Sequence, residues 1–153
     1  MHKNPFELFG LPISIYVHES TLNERYKEMM KDLHPDQFSG DDAFMKKSAE
    51  QVAAYTSQAY QALRSPLKCA DAAIQAKGWH LPNETITDSI LLMEVMEFQE
   101  MARMGQDLRP FYHDALVQFE KALQENIETK TLTAYSRLKF LARLTGNIDA
   151  AAN

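Results

Sequence analysis

Apolar residues recur at helical spacing along almost the whole of this 153-residue chain. Leu22, Tyr26, Met29, Met30 and Leu33 fall at i, i+4, i+7, i+8 and i+11, the stripe of a helix that buries one face. Arg25, Lys27 and Lys31 lie off that stripe and charge the solvent side, with Asp32 diluting the basic face. A second run carries Phe44, Ser48, Val52, Tyr55, Ala59 and Leu63 at helical spacing, and the small Ala53, Ala54 and Ala62 admit a close partner helix. Between the runs, Pro35 holds the preceding residue in an extended conformation and ends the first helix. Upstream, Asn4-Pro5-Phe6-Glu7 is a helix start, with Asn at the N-cap, Pro at the first position and Glu three residues after the cap. Leu8-Phe9-Gly10-Leu11-Pro12 ends that short helix. The expected N-terminal unit is a short helix and an antiparallel helix pair whose tip presents the imidazole and carboxylate of His34-Pro35-Asp36 beside a basic face.

Ser65-Pro66 opens a further helix that Gly78 closes, and Trp79 to Thr87, with Pro82 and little periodicity, reads as a connector. Three longer helical runs follow. The first starts at Asp88 as N-cap and weakens at Gly105. The second starts near Pro110, with Phe111, Ala115, Phe119, Ala122, Leu123 and Ile127 in register. The third spans roughly Leu132 to Leu144, with Gly146 beyond its end. Short connections make neighbouring helices antiparallel and give a small three-helix bundle. The tail Asp149 to Asn153 has nothing to pack and is expected to fray. No segment sustains period-2 alternation, so the fold class is all-α.

The first bundle helix holds more apolar residues than one buried face needs. Leu91, Val95 and Phe98 form one stripe, and Leu92, Met96 and Gln99 form another, rotated by about 100° per residue. Adjacent positions cannot both point into a three-helix core. Either Leu92, Met93 and Met96 pack on the connector or the N-terminal unit, or they form an exposed patch. In the second case methionine supplies an adaptable surface for a protein partner, and Glu94, Glu97 and Glu100 rim it.

Composition narrows the function classes. Hydrophobic residues make up 45% of the chain and there are only five glycines and six prolines, which suits a helical protein with a real core. The net charge of −5 argues against wholesale binding to nucleic acid or an anionic membrane. The cations on the second helix are therefore local and fit an acidic protein surface. Cys69 is the single cysteine, which excludes an internal disulfide and a cysteine-rich zinc site. No secretory leader and no membrane-length apolar run is evident, so a soluble, cytoplasmic protein is expected. Catalysis has little support. His34 has no nucleophile near it in sequence, His18, His80 and His113 are scattered, and Asp36 alone cannot complete a triad.

The N-terminal pattern resembles a J domain, the module that docks on DnaK-class chaperones and stimulates their ATPase. The whole chain resembles the HscB family, J-domain co-chaperones of iron–sulfur cluster assembly. The segments that carry this, in order, are Leu8-Phe9-Gly10-Leu11-Pro12, His34-Pro35-Asp36-Gln37-Phe38, Ala59-Tyr60-Gln61-Ala62-Leu63, Ser65-Pro66-Leu67 and Leu92-Met93-Glu94-Val95-Met96-Glu97. The resemblance implies a J domain over 1–78, a connector over 79–87 and a three-helix bundle over 88–153. It implies that His34, Pro35 and Asp36 are the chaperone-activating motif and that Arg25, Lys27 and Lys31 face an HscA-type chaperone. Leu92, Met93, Met96, Glu97 and Phe140 fall on the patch that holds an IscU-type scaffold protein. No cofactor, metal, nucleic acid or membrane enters this picture, and the chain is not an enzyme. A generic DnaK co-chaperone serving another client shares every argument from the first unit. Three positions depart from the family's pattern: Gln37 where J domains often have Lys or Arg, Ser57 where Asn is frequent, and Cys69 where Arg is usual.

Overall fold

The computed structural model describes residues 3–34, 43–83 and 86–146. Among them lie seven helices and no strand: α1 (Pro5–Leu8), α2 (Glu19–Asp32), α3 (Ala43–Arg64), α4 (Pro66–Ala76), α5 (Ser89–Arg103), α6 (Arg109–Gln124) and α7 (Glu128–Leu144). Pro35, Asp36, Gln37, Phe38 and the tail from Asp149 lie outside the described residues.

Local chemistry explains the boundaries. The side-chain oxygen of Asn4 accepts from the Glu7 amide at 3.0 Å and Pro5 takes the first helical position, satisfying one free N–H where a second would be absent anyway. Asp88 caps α5 by accepting from the amides of Ile90 at 2.8 Å and Leu91 at 3.2 Å. Gly78, at φ +79°, lets the Trp79 amide reach back to the Ile74 carbonyl at 3.1 Å and closes α4. α7 begins about one turn earlier than the apolar pattern indicates, at Glu128 after Ile127. Asn126 there adopts φ 61°, a left-handed turn that asparagine tolerates.

α2 and α3 pair through a stack of Tyr26 on Tyr60, ring centroids 4.0 Å apart, while the Tyr60 hydroxyl donates to Asn23 at 2.6 Å. The inner face of α3 differs from the sequence expectation. Ala49, Thr56, Ala59 and Leu63 are buried, whereas Phe44 and Val52 are exposed. Small residues let α3 lie close to its neighbours, and the large apolar residues in its first half fall outside that seam.

The N-terminal and C-terminal helices share one apolar cluster. Phe6, Leu22, Ala59 and Ile74 belong to it together with Phe98, Tyr112, Phe119, Leu138 and Leu141. Polar contacts fix the join. The Glu120 carboxylate of α6 accepts from the Ser14 hydroxyl and from the Ile15 amide at 3.2 Å, and the Gln124 amide donates to the Ile13 carbonyl at 2.9 Å. Asp71 of α4 accepts from the Tyr135 phenol of α7, and burial together with this carboxylate pushes that phenol's pKa far up. Cys69, buried on α4, donates weakly to the Ser14 carbonyl at 3.4 Å. Burial first, and Glu120 second, push its thiol from 9.0 to about 12.

Glu120 therefore ties an N-terminal loop to the C-terminal bundle. Glu120→Ala leaves the Ile15 amide and Ser14 hydroxyl short of an acceptor in a half-buried site, with an expected loss of about 1–3 kcal/mol. Glu120→Gln keeps one acceptor and should lose less. Urea unfolding of both variants measures this, and equal stability of wild type and Glu120→Ala would show that the contact contributes nothing.

Candidate functional site

Two regions carry the residues singled out from sequence. The first is the end of α2. The Leu33 amide closes the helix on the Met29 carbonyl at 3.1 Å and the His34 amide turns back to Lys31 at 3.3 Å. His34 is thus the first residue beyond a well-formed helix end, with its side chain exposed. Lys27 and Lys31 are exposed on the same helix, and Lys31 lies in the last turn, where a cation is favoured by the helix dipole.

Arg25 requires a correction. It was expected among the solvent-facing cations, but it is half-buried, and its guanidinium donates to the carbonyls of Phe9, at 2.5 Å, and Gly10, at 2.6 Å. Those two carbonyls end α1, and Gly10 turns there at φ +62°, a conformation that strains any side chain, with an added Cβ 3.0 Å from the Arg25 guanidinium and pushing it aside. Arg25 clamps α1 to α2, so the exposed charge of this face rests on Lys27 and Lys31.

The second region is the outer face of α5. Leu91, Val95 and Phe98 are buried, and Phe98 packs on Phe111 of α6 at 5.4 Å. The adjacent stripe remains in solvent, with Leu92 45%, Met93 64% and Met96 60% exposed. The packed alternative is thereby excluded. Glu97 is exposed beside them. Glu94, expected on the rim, is half-buried and forms a two-point ion pair with Arg137 of α7, at 2.6 Å to Nε and 3.2 Å to Nη2. It holds α5 to α7. Glu100 pairs with Arg103 one turn along. Phe140 is half-buried and lines a shallow cavity with Pro82 and Ile86 of the connector and with Ser136 and Arg143 of its own helix. Two residues that sequence reasoning did not single out, Ile90 and Met104, are also exposed near the ends of α5.

Among the described residues no group of three or more His, Cys, Asp or Glu side chains is placed to hold a metal ion. No described helix is long and apolar enough to cross a membrane. The described geometry presents a charged helix end and an apolar helix face to solvent.

No family model matches the chain. A co-chaperone protein HscB homolog of Vibrio atlanticus (strain LGP32) is 32% identical over 164 residues, covering 95% of each chain. The homolog from Vibrio campbellii is 28% identical over 162 residues, again with 95% of each covered. Among solved structures, the chaperone HscB from Vibrio cholerae superposes with a TM-score of 0.80 at 27% identity, over 97% of this chain and 98% of that one. Human co-chaperone protein HscB gives a TM-score of 0.81 at 18% identity, over 98% and 82%, and so speaks to the fold alone. With near-complete coverage in both directions and a J domain followed by a helical bundle, the chain belongs to the HscB family of co-chaperones.

Proposed function

We propose that this protein is a bridging co-chaperone with no active site of its own. Its J domain, 1–78, stimulates ATP hydrolysis by an HscA-type chaperone of the DnaK class. The bundle, 88–153, beyond the connector 79–87, brings an IscU-type iron–sulfur scaffold protein to that chaperone in the cytoplasm. The observation that carries the reading is the solvent exposure of Leu92, Met93 and Met96 on a helix whose other face is already buried. A contiguous apolar strip of this kind on a small charged protein marks a protein-binding surface, and methionine adapts to the shape it meets. Glu97 lies beside the strip, and Phe140 of α7, half-buried against the connector, is assigned to the same site from the family resemblance.

At the other end, His34 with Pro35 and Asp36 is the trigger, and Lys27 and Lys31 draw in an acidic chaperone surface. Charges of this sort act mainly on the rate of encounter. The purified protein should release no phosphate from ATP but should accelerate release by the chaperone. His34→Gln should abolish that acceleration while leaving thermal unfolding unchanged, because an exposed side chain past a helix end contributes little to the core. Undiminished stimulation by the variant would remove the tripeptide from the mechanism.

Charge reversal at Lys27 and Lys31 should slow association with the chaperone, and the difference from wild type should shrink as salt rises and screening shortens the reach of the charges. Arg25→Met should act differently, lowering stability by about 1–3 kcal/mol through the loss of its hydrogen bonds to Phe9 and Gly10. Stopped-flow association across ionic strengths, with unfolding curves for each variant, separates the two effects. A salt-independent rate would place docking elsewhere.

Replacing Leu92, Met93 and Met96 together by Ala should reduce affinity for the scaffold by orders of magnitude, at ~1–3 kcal/mol per interface anchor. Folding should be kept, since changes at exposed sites stay within about 0.5 kcal/mol each. Phe140→Ala is measured separately because it also uncovers the connector. A folded triple variant that binds the scaffold normally, by calorimetry, would favour a J-domain co-chaperone with another client.

A further inference from the structure

Neither region described above includes the open cavity of about 530 Å³ that α3 and α4 form with the residues leading into α1. α3 turns Tyr55, Gln58 and Ala62 to it and α4 turns Lys68, Asp71 and Gln75, at i, i+3 and i+7 in each helix. Ala59, Ala62 and Ala72 are the reason that a space exists, since their small side chains let the helices approach and leave the floor open. Lys3 stands at the rim, and the Tyr55 hydroxyl fixes that wall by donating to the Lys3 carbonyl. Asp71 is the unusual member. The Tyr135 phenol of α7 meets its carboxylate, yet Oδ1 is shut off from solvent and has no hydrogen-bond partner. No other buried side-chain nitrogen or oxygen among the described residues is left in that condition. Lys68, one turn earlier on α4, is exposed and does not reach it.

We propose that this cavity binds a free amino acid with an apolar side chain, its ammonium on Asp71 and its carboxylate on Lys68 and Lys3. A carboxylate oxygen cut off from water and from protein donors costs stability, and a charged N–H donor recovers it best. The last torsion of an aspartate is broad, so a small turn of the carboxylate brings Oδ1 to the cavity that Asp71 already lines. The charges choose the ligand class. A purely cationic ligand meets Lys3 and Lys68, and a purely anionic one meets Asp71, so only a zwitterion is matched at every charge. Asp71 and Lys68 stand about 4.5 Å apart along the helix axis, close enough for one α-ammonium and its α-carboxylate to engage both. The exposed amides of Gln58 and Gln75 can donate or accept at the flanks. Below them, the alanine floor and the Tyr55 ring leave an apolar bed for the ligand's side chain. The volume falls within the range of about 300–1,000 Å³ usual for small-molecule sites.

The test titrates the full chain with L-leucine and with L-phenylalanine by calorimetry and follows the unfolding midpoint with each. Saturable binding at millimolar concentration and a raised midpoint are expected, since a ligand that binds only the folded chain stabilises it. N-acetyl-L-phenylalanine lacks the ammonium and L-phenylalaninamide lacks the carboxylate. Each should bind at least about tenfold more weakly than the amino acid, the scale of one charge-assisted contact. An amide that binds as well as the amino acid would assign the cavity to the amino termini of peptides and overturn the proposal. Asp71→Asn should abolish binding, but it also disturbs the Tyr135 contact. Lys68→Ala and Gln58→Trp, both at exposed positions, keep the fold while removing the cation and filling the cavity, and both should weaken binding. Undiminished binding by either, or no saturable binding of either amino acid to the wild type, would overturn the site.

Discussion

One apolar cluster runs from Phe6, Leu22 and Ile74 in the N-terminal helices to Phe119, Leu138 and Leu141 in the C-terminal ones, and the end of α2 and the outer face of α5 are both held in place by it. Apolar burial is strong but non-directional, so the cluster alone would not set the angle between the halves. Direction comes from the polar contacts that border it. Glu120 and Gln124 grip the backbone of residues 13–15, and the Tyr135 phenol meets Asp71 across α4 and α7. Together they give the end of α2 and the outer face of α5 a defined relative placement.

The same cluster explains why α5 keeps an apolar face in solvent. A helix can turn only about one stripe towards a core, and that stripe is taken by Leu91, Val95 and Phe98. The neighbouring stripe is excluded by geometry, whatever its hydrophobicity. The Glu94–Arg137 pair fixes the rotation of α5 about its own axis, so the exposed strip stays pointed outwards and does not roll into the bundle.

Much of this was legible in the sequence, because its signals are local. The caps at Asn4 and Asp88, the stop at Gly78 and the double stripe of α5 each need only a few neighbouring residues to be read. The family resemblance added the order of the two units, and the curated relatives agree over 95% of the chain. What escaped was set by contacts between residues distant in sequence. Arg25 looks like a surface cation until the carbonyls that end α1 come within reach. Glu94 looks like a rim charge until α7 brings Arg137 beside it. On α3 the spacing fits several stripes, and the choice of the small-residue seam over Phe44 and Val52 depends on how closely α1 and α2 approach. The start of α7 at Glu128 was hidden because Thr129, Lys130 and Thr131 carry no apolar signal.

Cys69 illustrates how a packing choice reaches beyond packing. Its sulfur sits inside the join between α4 and the loop at Ser14, almost without solvent contact, and its proton is held to about pH 12. Soft metal ions bind thiolates, and oxidants and disulfides react with them, so a buried and protonated thiol is slow in all of these reactions. The chain has no other cysteine. Its one sulfur is therefore poorly placed to capture a metal ion or to cross-link the protein to a neighbour.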